Sequence, residues 1–538
     1  MLRNIIELAR GRRTDYAKAH VYLRHSAAEA YGSGVGPDDA AALDAPDRPT
    51  ILIGTTRGPD GDAMPVTLPT SYRGHTTLLG TTGSGKTKST EHQFARRLWL
   101  GAGVGGVDFK HDLHPTCVRW AGAYAYQLPE AQRLAFIQSL AIVNPFTSNA
   151  LPPFNVCQEF AGWSPEVQAY EVTNSLSRLF DQGLTFHGEN VLRHLLILLM
   201  EHRLSLVEAP EVLQDELLRG ILVEQSRNEG VREFFHRTFA DVPLVAKQAL
   251  CTRLQSLLLP ENVRLMLGAD SIIDLLEVLD RGQPLLAFFG KGGGVPEEQA
   301  EMLAGLFLNL FFQASYSTSG RTRPYTMMLD EFFHILTPAL TRRFNSALTT
   351  LRSYGVNLLL IFHNFSQIDP TLRETILGNC DALAIFRTSG KNADWLGDFL
   401  PNHDPELAAE MLRRSGEFPS ARIMRSAMIE RLQRLPNRYC YWYDRRQPHR
   451  AILMRVPDVQ EPHEVVGLSA GALDRFIRDN GIEVGGYALP KATLRAQIAA
   501  RQERLRQMVR PPIHLVAAVG ADIPAGEAPR GKRRPRLG

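Results

Sequence analysis

The stretch Gly80-Thr81-Thr82-Gly83-Ser84-Gly85-Lys86-Thr87 constrains this chain more than any other. Its spacing is G-x-x-x-x-G-K-[ST], a loop whose successive backbone N–H groups converge on a phosphate. Gly80, Gly83 and Gly85 permit the bend, because glycine tolerates backbone angles closed to other residues. Lys86 is placed to reach the β- and γ-phosphates, and the Thr87 hydroxyl to hold Mg²⁺. Residues 75–79 read as a buried strand entering the loop and 88–98 as a helix leaving it. The helix adds its positive N-terminal end to the anion site.

At 538 residues the chain is long enough for two or three domains. With 44% hydrophobic and 22% charged residues and a net charge of +3, it has the composition of an ordinary soluble globular protein. The five cysteines, Cys117, Cys157, Cys251, Cys380 and Cys440, are scattered and form no C-x-x-C pair. Neither a disulfide framework nor a zinc site follows, and a reducing cytoplasm fits. The N-terminus has no signal-peptide pattern. The most apolar stretches, 192–200 and 303–312, are too short or too interrupted to span a bilayer and read as buried helices. No integral membrane anchor is expected.

Residues 1–49 read as a helix and linker. Leu2, Ile5, Ile6 and Leu8 share one helical face and are followed by Arg10, Arg12 and Arg13. Such a start either packs on the main domain or touches a membrane surface or partner. A nucleotide-binding domain opens at residue 50, with a hairpin turning at Pro59-Asp60-Gly61. Strands follow at 105–110, with Asp108 and Lys110 near the end, and at 141–146. From 158 to 279 the texture changes to amphipathic helices, at 165–180, 190–203, 211–225 and 246–259. This segment holds 18 Asp/Glu against 10 Lys/Arg. An acidic surface suits a protein partner better than a phosphate backbone.

Strand character returns over 284–289, then a long helix at 297–315 and strands at 325–329, 357–362 and 382–386. Strand–helix alternation indicates an α/β fold with a mainly parallel sheet and an inserted all-α domain. The domains expected are 50–157 and 280–457 for nucleotide binding and 158–279 for the insertion. An antiparallel pair at 438–443 and 450–455 closes the core. Beyond Pro457 the pattern is less regular, leaving a C-terminal helical segment and basic tail over 458–538. Residues 491–538 hold 11 Lys/Arg against 3 Asp/Glu. That tail either binds nucleic acid or anionic lipid or simply solubilises the chain.

Met327-Met328-Leu329-Asp330-Glu331 supplies a second element of nucleotide chemistry. An apolar strand delivers Asp330 beside the loop, where it can hold the Mg²⁺ shell, and Glu331 can orient or deprotonate an attacking water. A water nucleophile makes this a hydrolase. A positive charge is also wanted at the γ-phosphate in the transition state. Arg342, Arg343 and Arg352 follow Glu331, and each is otherwise a surface arginine.

These pieces together resemble a family. The glycine loop, Val107-Asp108-Phe109-Lys110, Asn144-Pro145-Phe146, the helical insertion, Leu329-Asp330-Glu331 and Leu351-Arg352-Ser353-Tyr354-Gly355-Val356 resemble the conjugative coupling ATPases of type IV secretion systems, of the TraD/TraG type. These sit with HerA and FtsK among RecA-like P-loop motors. The resemblance spans about residues 50–457. It implies ATP and Mg²⁺ as ligands and a hexameric ring of this chain that moves DNA. It implies Lys86 and Thr87 as phosphate and metal ligands, Asp330 and Glu331 as the metal-shell and water-activating pair, and Arg352 as a finger reaching a neighbouring subunit. Relaxase or secretion-channel proteins are the implied partners, with the acidic insertion as a place for them to dock.

Two departures stand out. The family places a glutamine sensor where this chain has His363; an imidazole can hydrogen-bond a phosphate-bound water or merely cap the strand, and Gln367 offers a substitute. Many coupling proteins also begin with membrane helices, and this sequence has none, so a cytoplasmic chain, at most peripheral at the inner membrane, is expected. The alternatives are a HerA-like translocase working with a nuclease and a secretion-assembly ATPase acting on protein.

Overall fold

The computed structural model describes residues 50–509, apart from 58–62, 111, 161–162, 178–183, 291, 293, 318–320, 401–404, 417–419 and 447–450. The helix and linker read over 1–49, the turn at 59–61, the link between the antiparallel strands at 447–450 and the part of the basic tail beyond 509 lie outside the described residues.

The chain order of strands is β1 (Thr50–Arg57), β2 (Ala63–Pro69), β3 (Thr76–Leu79), β4 (Gly103–Asp108), β5 (Ala141–Val143), β6 (Ala150–Leu151), β7 (Leu285–Phe288), β8 (Tyr325–Asp330), β9 (Val356–Phe362), β10 (Ala382–Phe386), β11 (Tyr439–Asp444), β12 (Ala451–Arg455) and β13 (Leu489–Pro490). Eleven of them form one sheet in the order β2-β1-β12-β11-β10-β3-β9-β8-β4-β7-β5. From β10 to β5 every neighbour is parallel. From β10 back to β2 every neighbour is antiparallel. The expected mainly parallel α/β sheet is therefore present, with the hairpins at one edge.

The parallel strands are apolar runs because helices cover both faces. All residues of β3, β4, β8 and β9 are buried. Alternation sends Leu79, Val107, Leu329 and Leu360 into one apolar cluster and Leu78, Val104, Met328 and Ile361 into the other. The second cluster also takes residues from helices α1 (Lys86–Trp99) and α2 (His114–Gln127). The first takes residues from α3 (Glu297–Tyr316) and the helices of 158–279. Leu195 and Leu199 of the helix Phe186–Glu201 share it with Phe307 and Phe311. The helices of 158–279 therefore pack into the same apolar core as the sheet.

Several boundaries differ from expectation for local reasons. The helix expected over 211–225 is two, Ala209–Gln214 and Glu216–Gln225. Asp215 breaks it by adopting extended angles and capping the second with a bond from Leu218 N. The strand expected over 105–110 ends at Asp108, because its carboxylate accepts bonds from Lys110 N, Leu113 N and His114 N and turns the chain. The C-terminal helical segment expected beyond 457 contains helices Ala470–Asp479 and Lys491–Val509. The first packs so closely on α2 that a Cβ at Gly122 would collide with the Ile477 side chain. The second is anchored to the 158–279 helices by Arg501, which is 6% exposed. Its guanidinium meets the fully buried Glu208 at 3.3 Å and also Asp270. The stretches 192–200 and 303–312 are buried in helices as expected. Among the described residues no helix is long and apolar enough to cross a membrane.

Two stability predictions follow from buried charge. Arg501→Met strands Glu208 without its cation, so it should lower the unfolding free energy by about 3 kcal/mol in denaturant titration. Arg506→Ala, on the exposed side of the same helix, should change it by less than about 0.5 kcal/mol. Separately, burial pushes the His75 imidazole down to about 3 and the His92 imidazole down to about 4. Above about pH 6.5 both are neutral whether folded or unfolded; below it the unfolded chain takes up protons that the folded chain refuses. Stability should fall as pH drops from about 6.5 to about 4, by about 1.4 kcal/mol per pH unit for each histidine. His92→Gln should reduce proton uptake on unfolding at about pH 5 by about one.

Candidate functional site

The glycine loop leaves β3 and is held from three sides. Gly80 N donates to Phe362 O, Thr81 N and Oγ1 donate to Arg387 O, and Arg438 N donates to Ser84 O. Gly83 and Gly85 have φ of 73° and 113°, which explains their identity. A Cβ at Gly80 would lie 2.6 Å from Phe386 Cβ, so this glycine is required by closeness to β10. Helix α1 begins at Lys86, two residues before the expected start at 88, while Thr82, Gly83 and Thr87 are exposed at the mouth of the loop.

Lys86 is buried under the loop. Its Nζ donates to Gly80 O at 2.5 Å and Thr81 O at 3.0 Å, and reaches His363 Nδ1 at 3.1 Å. Burial lowers the ammonium to about 8, opposed by the charges of Asp330 and Glu331. His363 Nδ1 sits between the Lys86 ammonium and Gly80 O, the latter at 3.2 Å, and its Nε2–H faces Glu331 Oε1 at 2.5 Å. Lysine, imidazole and carboxylate form one connected chain.

The acidic pair sits one strand further. β9 lies between β3 and β8, and the register sets Leu79 opposite Phe362, Asp330 opposite Ile361 and Asp108 opposite Asp330. The functional ends of four strands thus share one edge. Asp330 is 8% exposed. Burial first, then the charges of Asp108 and Glu331, push its carboxyl up to about 7. A divalent cation answers such an excess of buried negative charge. Asp330 and the Thr87 hydroxyl are a donor set suited to Mg²⁺, whose remaining ligands come from phosphate and water.

Glu331 has φ of 54°. Its N donates to Ile361 O at 3.0 Å. Its Oε1 meets both His363 and Lys110, the latter at 3.3 Å, and its Oε2 meets His334 Nε2 at 3.3 Å. Burial pushes its carboxyl up, but the His363 hydrogen bond and the Lys110 charge outweigh this and bring it to about 2. An open cleft of about 450 Å³ lies alongside, bordered by Thr81, Thr82, His363, Thr388 and Asn392.

Two expected residues stand apart. Gln367 closes a capping box, its Oε1 accepting from Asn364 N at 3.0 Å. Arg352 precedes β9 while His363 follows it, and β9 has seven residues. At about 3.3 Å per residue, the two are roughly 20 Å apart. Arg352 instead donates to both oxygens of Asp381, at 2.9 and 3.0 Å. Arg343 pairs with Glu171.

Residues 324–428 match the family model described as the TraM recognition site of TraD and TraG. The resemblance to TraD and TraG read from the sequence is borne out there. The matched segment contains Asp330, Glu331, Arg352, His363 and Gln367. No curated protein matches the chain. Among solved structures, it is similar to a bacterial conjugative coupling protein, TrwBdeltaN70 in an unbound form, at 16% identity and a TM-score of 0.47, over 74% of this chain and 87% of that one. It is similar to VirB4 of Thermoanaerobacter pseudethanolicus at 12% identity and a TM-score of 0.48, over 77% and 97%. The plasmid coupling protein TrwB in complex with ADP and Mg²⁺ is 15% identical with a TM-score of 0.45, over 74% and 89%.

Sequence reasoning did not find His334 or the Arg387 and Arg438 backbone supports, and it placed Lys110 only near a strand end. Their places depend on which strands become neighbours, a non-local fact. The Asp108-x-Lys110 spacing was the one available signal, since it puts a cation just past a strand end.

A Cβ at Gly85 would lie 3.0 Å from Arg438 Cα, at a φ that L-residues rarely adopt. Gly85→Ala should therefore destabilise the chain by about 1–2 kcal/mol. It should also weaken binding of a fluorescent ATP analogue by at least about tenfold in titration, the equivalent of roughly 1.4 kcal/mol.

Proposed function

We propose that this chain is the Mg²⁺-ATP-hydrolysing motor of a DNA-translocating ring, acting as a coupling protein for conjugative transfer through a type IV secretion system. The observation that carries this reading is the meeting of Lys86, Asp330, Glu331 and His363 at one edge of the parallel sheet. In it Lys86 and the loop amides hold the phosphates, with Thr87 and Asp330 as ligands of the Mg²⁺, which supplies charge neutralisation. Glu331 orients and deprotonates the attacking water. His363 takes the sensor position, because its Nε2–H is aimed at Glu331 and its Nδ1 at Lys86.

Arg352 supports assembly into a ring. It is too far from Lys86 to serve its own site, and its exposure at the opposite end of β9 suits service to a neighbouring subunit. Residues 50–157 and 280–457 make the motor in this proposal. Residues 158–279, carrying the acidic excess, face relaxase or channel proteins. The chain works in the cytoplasm.

Lys86→Ala should abolish ATP binding and hydrolysis together. Glu331→Gln should lower kcat by at least about a hundredfold while leaving ATP affinity within about threefold. Wild-type turnover per chain should rise with protein concentration and with added DNA. Turnover indifferent to both would overturn the ring-motor reading. DNA binding that weakens steeply with salt separates this reading from a protein-secreting ATPase.

A further inference from the structure

The carboxylate of Glu331 is gripped at both oxygens by groups from three strand ends. His363 Nε2 and Lys110 Nζ share Oε1, and His334 Nε2 faces Oε2. A carboxylate that takes a proton from water needs a free lone pair directed at that water. The grip on Oε1 therefore opposes the task, and of the two groups that hold Oε1 Lys110 is the better placed to let go, at 46% exposed against 26% for His363.

Its backbone is fixed, because Lys110 N donates to Asp108 Oδ1 at 2.7 Å. The other Asp108 oxygen accepts from Leu113 N and His114 N, so the whole turn is tied to β4. Only the Lys110 side chain is at liberty. It is 46% exposed, whereas the Glu331 side chain is 8% exposed. Its second neighbour, Asp112, lies 3.7 Å away on the solvent side. One ammonium thus bridges the buried base and the surface. The ammonium is already partly hydrated, so it can pass from Glu331 to an outside anion without first being drawn out of a buried state. A compact, mobile ammonium suits the oxygens of a phosphodiester.

We propose that Lys110 is a positioning residue that clamps Glu331, and that a nucleic-acid phosphodiester draws its ammonium away, freeing for the attacking water the Oε1 lone pair that His363 does not occupy. The inference rests on the reading of the chain as a DNA-driven ATPase and names the link by which DNA contact reaches the base.

The test compares ATP turnover of the full chain, with and without a synthetic DNA duplex or single strand, for wild type, Lys110→Met and Lys110→Arg. Lys110→Met should raise the DNA-free rate by about threefold or more and bring the ratio with and without DNA close to one. Lys110→Arg should keep at least about half of the wild-type stimulation. The slope of log affinity for DNA against log salt should fall by about one in Lys110→Met. Unchanged melting temperatures check that the variants fold, and Lys110→Gln replaces Lys110→Met if that one does not. A Lys110→Met chain still stimulated like wild type, or inactive with and without DNA, overturns the clamp while leaving the motor reading intact. A wild type that neither binds DNA nor responds to it overturns both.

Discussion

A cation buried beneath a loop needs acids beside it, and this requirement organises the site. Lys86 is 5% exposed and has Asp330 and Glu331 close enough to hold up an ammonium that burial pushes down. The acids in turn crowd one another and Asp108. No single element could bring these groups together. β3, β9, β8 and β4 deliver them side by side in register. A slip of one residue between β8 and β9 would send Asp330 to the other face of the sheet, so the order and register of strands carry the electrostatics.

Much of this was legible locally. The glycine loop, the apolar run ending at Asp330-Glu331 and the strand–helix alternation are short-range patterns, and the sheet reproduces them. Tyr439–Asp444 and Ala451–Arg455 pair antiparallel, as expected for 438–443 and 450–455. What was not legible is mostly non-local. Lys110 and Glu331 are 221 residues apart, and only the adjacency of β4 and β8 brings them within 3.3 Å. The arginines and lysines of 491–509 count as tail charge in sequence, yet Arg501 is buried because Glu208 and Asp270 lie on a part of the chain that folds back to meet it. Asp215 shows the opposite limit: a local capping preference divided a helix that hydrophobic spacing alone ran together.

The buried contact of Arg501 also bears on what the 158–279 helices can do. They share an apolar cluster with α3 on one side and hold the helix Lys491–Val509 on another. On the proposed reading, a surface anchored at both places transmits force from the motor rather than swinging independently of it. The acidic excess then lies on a body mechanically continuous with the strands that carry Asp330 and Glu331.

Parallel strands have two different ends, and the chain uses both. One end of β9 carries His363 against Glu331; the other is preceded by Arg352, held by Asp381 just before β10. On the proposed reading, these are the two halves of a contact between successive subunits. Asp381 competes with any phosphate for Arg352, so a finger acting in trans must first exchange one anion for another. Arg352 is 45% exposed while Asp381 is 14% exposed, so the arginine is the mobile member of the pair. Lys110 and Glu331 repeat that asymmetry at the other edge of the sheet, again with an exposed cation resting on a buried acid. On the proposed reading, in both pairs the acid stays with the fold and the exposed cation answers a phosphate, so that ligand contact at either end of the strands is felt without moving the sheet itself.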